Sequence, residues 1–290
     1  MKLLITGGTG FIGRHLVRKL RKEHELFALA RAAAAPDSAA RWIEHDLSAA
    51  LDYSRLPQQV DAIVHLAQSE FYKDFPARAD DVYRLNVGAT FELLEYARRA
   101  GAKHFVLAST GGVYGYGCRP FVETDPVQLA GFYFTSKHVA ELLVRDYQPF
   151  FDTVVARLFF VYGVGQKPHM FIPRLIRNVM RGEAITLDGP EGIRTNPTHI
   201  VDAVDGLAAT LNLSGHHVIN LAGPQALSLR EIGQAIAAEV GREPLFTVRE
   251  EQAPGNLIGD VTKARALLGV PRVRFSEGIV EVCRELTQRT

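Results

Sequence analysis

The nine residues Ile5-Thr6-Gly7-Gly8-Thr9-Gly10-Phe11-Ile12-Gly13 constrain the fold more than any other stretch of the chain. An apolar run, Leu3-Leu4-Ile5, precedes them, and a helical pattern, RHLVRKL, follows. Four glycines in nine residues carry a high conformational-entropy cost, so something besides local stability must require them. A strand that turns sharply into a helix, with another group brought against the backbone of the turn, meets that requirement.

The rest of the chain supplies the context. Short apolar runs at 3–5, 26–30, 62–67, 105–108, 154–158 and 218–221 do not alternate with polar residues. Strands buried on both faces have this pattern. Helical patterns lie between them at 11–22, 81–101 and 134–147. In the second, Leu85, Phe91, Leu94 and Ala97 trace an apolar stripe that Gly101 closes. Strands alternating with helices imply an α/β fold: a doubly wound parallel sheet of the Rossmann type. After Gly163 the rhythm weakens, and the helices at 171–182 and 229–241 stand apart. The expected division is a nucleotide-binding domain at 1–160 and a smaller, partly interleaved C-terminal lobe at 161–290. That lobe mainly binds substrate, and some of its segments return to the sheet. The Ala-rich segment 31–41 reads as a surface connection.

A glycine-rich turn between a first strand and a helix is half of a dinucleotide site. The helix N-terminus supplies free N–H groups and partial positive charge to a pyrophosphate. The spacing here is Gly7-x-x-Gly10-x-x-Gly13. A carboxylate ending the second strand would bind a ribose 2′-hydroxyl, but the chain has Ala30-Arg31 there. Arginine suits a 2′-phosphate, and Arg14 offers a second contact. The expected cofactor is NADP or NAD, with NADP preferred on Arg31.

Tyr133 and Lys137 are four residues apart, which places both on one helix face. They follow the fourth apolar run. A nearby ammonium favours a phenolate, so Tyr133 can exchange a proton with a carbinol as hydride leaves or returns. Ser109 and Thr110 close the run at 105–108, at the strand end where such sheets bind ligands.

The net charge of +1 argues against a dedicated nucleic-acid binder. No apolar stretch approaches the ~20 residues of a membrane span. Cys118 and Cys283 show neither a disulfide framework nor metal-site spacing. The opening residues lack a signal-peptide pattern, so a cytoplasmic setting is expected.

The segments TGGTGFIG, HLA at 65–67, LNVGAT at 85–90, ASTGGVYG and YFTSK occur in this order. Together they resemble the extended short-chain dehydrogenase/reductases, and within them the NAD(P)-dependent epimerase/dehydratase group acting on nucleotide-linked sugars. RLFFVYGVGQ, NPTHIVDAV and GDVTKARALLGVP extend the resemblance over nearly the whole chain. It implies that Gly7, Gly10 and Gly13, with Phe11 and Ile12, hold the pyrophosphate. Asp46 and Leu47 would lie by the adenine, and Leu66 and Ala67 would line the cofactor channel. Asn86 would support the sheet or the cofactor side. Thr110 takes the family's Ser/Thr position in preference to Ser109, which is left as a substrate contact. Tyr133 would be the acid/base, and Lys137 its partner and the ligand of the nicotinamide ribose. Arg194 sits near a diphosphate-binding arginine. His65 reads as a core histidine. The resemblance also implies a homodimer paired through the helices of 86–99 and 133–147.

Two departures matter. Dehydratases of the group carry an Asp-Glu pair after the Thr, and this pair does the elimination; here Gly111 and Gly112 stand there, which disfavours dehydration. Phe160 replaces an Asn common in the epimerases and removes a polar substrate contact. The expected activity is a nucleotide-sugar epimerase or related oxidoreductase. The alternatives are an NADPH-dependent ketoreductase of a keto sugar or a small non-sugar carbonyl, and a non-catalytic NADP-binding regulator.

Overall fold

A computed structural model describes residues 1–31, 39–250 and 255–288. The expected surface connection at 31–41 falls largely outside them. Six strands are named here: β1 (Lys2–Thr6), β2 (Glu25–Ala30), β3 (Arg41–Glu44), β4 (Ala62–His65), β5 (His104–Thr110) and β6 (Asp152–Leu158). With His216–Leu221 they form one seven-stranded sheet in the order 216–221, β6, β5, β4, β1, β2, β3. The pairs β1/β2, β2/β3, β1/β4 and β4/β5 are all parallel. All six apolar runs are strands of this sheet. The seventh, β3, escaped the sequence reading because Arg-Trp-Ile-Glu lies at the sheet edge with no residue fully buried. Tyr133 and Lys137 therefore follow the fifth strand, not the fourth.

The strand order reverses at β1, between β2 and β4, which opens a crevice at the carboxyl ends of β1 and β4. Helix α1 (Phe11–Leu20) leaves β1 through the glycine turn and buries Gly13, Leu16, Val17 and Leu20, one face at helical spacing. Helix α2 (Ala79–Tyr83) and helix α3 (Ala89–Arg99) replace the single helix expected at 81–101. A wider π-helical turn, Arg84–Gly88, joins them. Phe91 does not join the buried stripe: it is 48% exposed, while Leu93, Leu94 and Ala97 are buried. Gly101 follows α3 with φ +71°, the left-handed conformation that ends helices. Helix α4 (Phe132–Asp146) carries Tyr133 and Lys137.

The chain divides into two compact units. The first takes in Met1–Val113, Val127–Arg157 and Leu207–Ile219; the second takes in Tyr114–Pro126, Leu158–Gly206 and Asn220–Thr290. The core of the first includes Leu4, Ile63, Leu93, Phe105, Ala140 and Val155. The core of the second includes Tyr162, Ile176, Ile232, Ile236, Phe275 and Ile279. Both helices expected there are present, Phe171–Arg181 and Leu229–Val240. Ser228 and Glu231 cap the latter reciprocally, each side chain meeting the other residue's backbone N–H. Helices Ile200–Ala209, Thr262–Leu268 and Phe275–Gln288 add to the sequence reading. Among the described residues no helix is long and apolar enough to cross a membrane.

Candidate active site

The glycine turn is built by contacts that leave no room for side chains. Gly7 has φ +69°, and a Cβ there would lie 2.7 Å from the amide nitrogen of Ala67. A Cβ on Gly13 would overlap the Gly7 carbonyl oxygen and lie 2.7 Å from the Gly8 Cα. The turn closes as Gly10 N–H donates to Gly7 O at 2.9 Å. Gly10 caps α1 with no side chain, and no acidic residue occupies the helix's first turn. The first-turn amides and the positive end of the helix dipole thus fit an anion such as a pyrophosphate. Gly13 is buried, and Phe11, Ile12 and Arg14 are half-buried. The Arg14 guanidinium lies over the Phe11 ring at 5.5 Å.

The loop after β4 packs on this turn. Leu66 N–H donates to Thr6 O, and Ala67 N–H to Thr6 Oγ1, both at 3.2 Å. Leu66 and Ala67 are half-buried. Arg31 is exposed at the end of β2, with Nη2 3.5 Å from Glu70 Oε1. Asp46 is exposed, and its Oδ1 accepts from Ser48 N–H at 2.9 Å. That backbone bond holds its carboxyl below the usual range, aided by the charge of Arg31. Leu47 is buried. Asn86, in the π-helical turn, is buried. Its Oδ1 accepts from Ser69 N–H at 3.2 Å, and its Nδ2 donates to Ser136 Oγ at 2.9 Å. It therefore braces the loop after β4 against α4.

Thr110 ends β5, half-buried, and its Oγ1 accepts from Gly112 N–H at 3.1 Å. Tyr133 donates its hydroxyl to Gln68 Oε1 at 2.9 Å. Its ring centroid lies 5.4 Å from that of Tyr72 and 5.3 Å from that of Phe134. Lys137 is buried and donates to Ala108 O at 2.6 Å. Burial pulls its ammonium down to about 8, and the charge of Glu141 opposes this. The expected lowering of the Tyr133 pKa calls for an oxidised nicotinamide beside the Lys137 ammonium, and the chain's own groups act the other way. Burial pushes the phenol above its ordinary value, the Tyr72 phenol adds to this, and the Gln68 hydrogen bond opposes only part.

Ser109 departs from its expected place. It does not face a ligand; it is buried and donates to the Glu141 carboxylate. Glu141 also receives Arg157 Nε at 3.1 Å and Nη2 at 2.7 Å, with His138 Nδ1 at 3.3 Å. Burial raises the Glu141 carboxyl, but these hydrogen bonds and the Arg157 charge outweigh it and hold it below the usual range. His65 is a core residue between Thr6 Oγ1 at 2.6 Å and Thr90 Oγ1 at 3.1 Å. Burial, then the Lys137 charge, takes it down to about 3, so it is neutral.

In the second unit, Phe160 has φ +39°, the left-handed region where a bulky side chain is strained. Its ring centroid lies 5.0 Å from that of Phe171. Arg194 Nη2 donates to Ala226 O at 3.1 Å, and Nη1 lies 3.5 Å from Glu231 Oε2.

Gln68, Tyr72, Glu141 and Arg157 were missed in the sequence. Glu141 was findable, since it stands one helical turn beyond Lys137. Gln68 directly follows Leu66-Ala67, but an exposed amide carries no periodic signal.

Residues 3–222 match the NAD dependent epimerase/dehydratase family. The chain is 30% identical to UDP-glucuronic acid decarboxylase 5 of Arabidopsis thaliana, over 96% of this chain and 87% of that protein. It is 29% identical to a UDP-glucose epimerase, YtcB, of Bacillus subtilis strain 168, itself uncharacterised, over 96% of both. The UDP-glucuronic acid 4-epimerase of Bacillus cereus, solved with UDP-glucuronic acid and NAD, superposes with a TM-score of 0.88 at 26% identity, covering 100% of both chains. The glycine cradle at the switch of a parallel sheet and the Tyr133–Lys137 helix beside Thr110 accord with that likeness, and the chain belongs to the NAD-dependent epimerase/dehydratase family as an enzyme of the extended short-chain dehydrogenase/reductase type.

Proposed function

We propose that the protein epimerises a nucleotide-linked sugar through Thr110, Tyr133 and Lys137. The observation that carries this reading is one compact unit holding both an anion-binding glycine turn and Tyr133 on a helix tied to the Thr110 strand. Gly7, Gly10, Gly13, Phe11, Ile12 and Arg14 would hold the dinucleotide, with Asp46, Leu47, Leu66 and Ala67 along it. A nicotinamide held there would supply reversible hydride transfer at the carbinol carbon. Tyr133 takes the hydroxyl proton as the ketone forms, and gives it back when hydride returns to the other face. Thr110 Oγ1 hydrogen-bonds the reacting oxygen. Lys137 offsets the phenolate charge and meets the nicotinamide ribose. Gly111 and Gly112 have no side chain to move a proton, so the site supports redox at one carbon rather than elimination. Phe160 and Arg194 would contact the sugar and the diphosphate.

Arg31 favours a second reading. With no carboxylate ending β2, the cofactor would be NADP, the usual reducing currency, and the enzyme a ketoreductase of a keto sugar or small ketone. Gentle denaturation followed by mass spectrometry of any released dinucleotide separates the two. Stoichiometric NAD supports epimerisation, because the hydride returns each cycle. An empty protein preferring NADPH supports the reductase. The Tyr133→Phe variant is expected to lose ~10²- to 10⁴-fold in kcat while binding dinucleotide normally. Unchanged turnover would remove Tyr133 from the chemistry.

The oligomer we propose is a homodimer, with α3 presenting exposed Phe91 and the turn after α4 exposed Phe150. Light scattering showing a monomer at micromolar concentration would contradict it. Both cysteines are free thiols, which fits a cytoplasmic setting.

A further inference from the structure

Gly112 and Phe134 form a matched pair beside the reacting groups. A Cβ on Gly112 would overlap Cε1 of Phe134 and lie 2.8 Å from Cδ1. The aromatic ring thus fills the space that any other residue at 112 would use. Gly112 is also the residue whose N–H donates to Thr110 Oγ1, so the ring and that hydroxyl meet the same residue. On its other side Phe134 meets the Tyr133 ring edge-on. One half-buried phenyl group therefore touches both elements that present the acid/base pair.

The surroundings provide little for an anion. Gly111 and Gly112 carry no side-chain hydroxyl, amide or cation, and the Gly112 N–H is given to Thr110 Oγ1. The Lys137 ammonium is turned to Ala108 O, and the Arg157 guanidinium is held by Glu141. A carboxylate laid against Phe134 would lose its hydration without gaining a charged partner, whereas C–H or methyl groups lose nothing polar there.

We propose that Phe134 is a specificity-determining residue. It selects nucleotide sugars whose carbon beside the reacting carbinol bears hydrogen or methyl, as in a pentose or 6-deoxyhexose, over those bearing a carboxylate. The assignment rests on the nucleotide-sugar reading above. It separates this chain from the B. cereus relative solved with UDP-glucuronic acid.

The test compares kcat/KM of the intact enzyme, with dinucleotide supplied, on xylose, 6-deoxyglucose, glucose and glucuronic acid. Each sugar is offered as its uridine and its thymidine diphosphate. The expected result is a preference of roughly tenfold or more for xylose and 6-deoxyglucose over glucuronic acid. Equal or better turnover of the glucuronate overturns the assignment and leaves the nucleotide-sugar reading standing. Neither turnover nor binding of any of these sugars overturns both. The Phe134→Ala/Gly112→Ser double variant, which trades ring for hydroxyl, is expected to narrow the ratio at least threefold. Phe134→Leu, which keeps an apolar wall in a folded site, is expected to preserve it. A ratio unchanged in the double variant, with the Leu variant active, removes Phe134 from the selection.

Discussion

Lys137 donates its ammonium to the Ala108 carbonyl at 2.6 Å, two residues before Thr110 on the same strand. The bond ties the helix bearing Tyr133 to the strand bearing Thr110. It also keeps a charge buried where it costs stability. A lysine taken down to about 8 from an unfolded value of about 10.4 carries a penalty near 3 kcal/mol at neutral pH. Between those two values the unfolded chain binds more protons than the folded one, so this contribution improves as pH rises through that window and is constant below about 8.

Lys137→Met is therefore expected to stabilise the protein at pH 7 by about 1–2 kcal/mol, after subtracting the lost hydrogen bond. The advantage should shrink by pH 9.5, while turnover falls at least ~100-fold. Urea unfolding at both pH values reads the first part and initial rates the second. A variant less stable than the parent at pH 7 would show that the Ala108 contact outweighs the burial of charge.

Glu141 has two effects that two substitutions separate. It neutralises Arg157, and its charge raises the Lys137 pKa. Glu141→Leu takes the carboxylate away from a buried guanidinium and is expected to cost about 3–5 kcal/mol. Glu141→Gln keeps hydrogen-bonding capacity, so it should fold with a smaller loss. With the carboxylate gone, Lys137 loses its proton at lower pH. If Lys137 governs the alkaline limb of the kcat/KM profile, that limb is expected near 8 in the parent and should shift downward in Glu141→Gln. An unmoved limb would make Glu141 a purely structural residue.

The Gly13→Ala prediction follows from packing alone. The added methyl would overlap the Gly7 carbonyl oxygen, which is backbone and cannot swing away. The turn must open, and the first-turn amides of α1 lose their common focus. Dinucleotide binding is expected to fall at least ~100-fold, with stability down about 1–3 kcal/mol. Calorimetric titration and thermal unfolding check the two separately. A variant that binds as tightly as the parent would mean that the turn does not hold the pyrophosphate.

What the sequence made legible was what backbone and periodicity determine. Strands buried on both faces announce themselves as unbroken apolar runs, so six of the seven sheet strands were readable. The edge strand Arg41–Glu44 was not, because partial burial leaves no pattern. The π-helical turn at Arg84–Gly88 was equally silent, and Phe91, read as part of the buried stripe, is exposed. At the candidate site, spacing pointed to Gly7, Tyr133 and Lys137, while Thr110 was preferred to Ser109 only through the family resemblance. Ser109 was misplaced because a hydroxyl at a strand end can face the crevice or turn inward, and only the distant Glu141 decides it. The Gly112–Phe134 contact joins residues 22 positions apart, and no local spacing encodes it.

Arg31 tests the cofactor. Its guanidinium is 68% exposed and pairs with Glu70 only at 3.5 Å. Such a pair contributes little to stability. Arg31→Ala should thus leave the unfolding midpoint unchanged, and any effect belongs to ligand binding. If Arg31 meets a 2′-phosphate, the variant loses a charge-assisted contact to NADP and nothing to NAD. The ratio of the two dissociation constants is then expected to shift toward NAD by roughly tenfold, and less at high salt because the contact lies in water. A parent protein that already prefers NAD, or a ratio that does not move, assigns Arg31 to the surface and leaves the epimerase reading without its reductase rival.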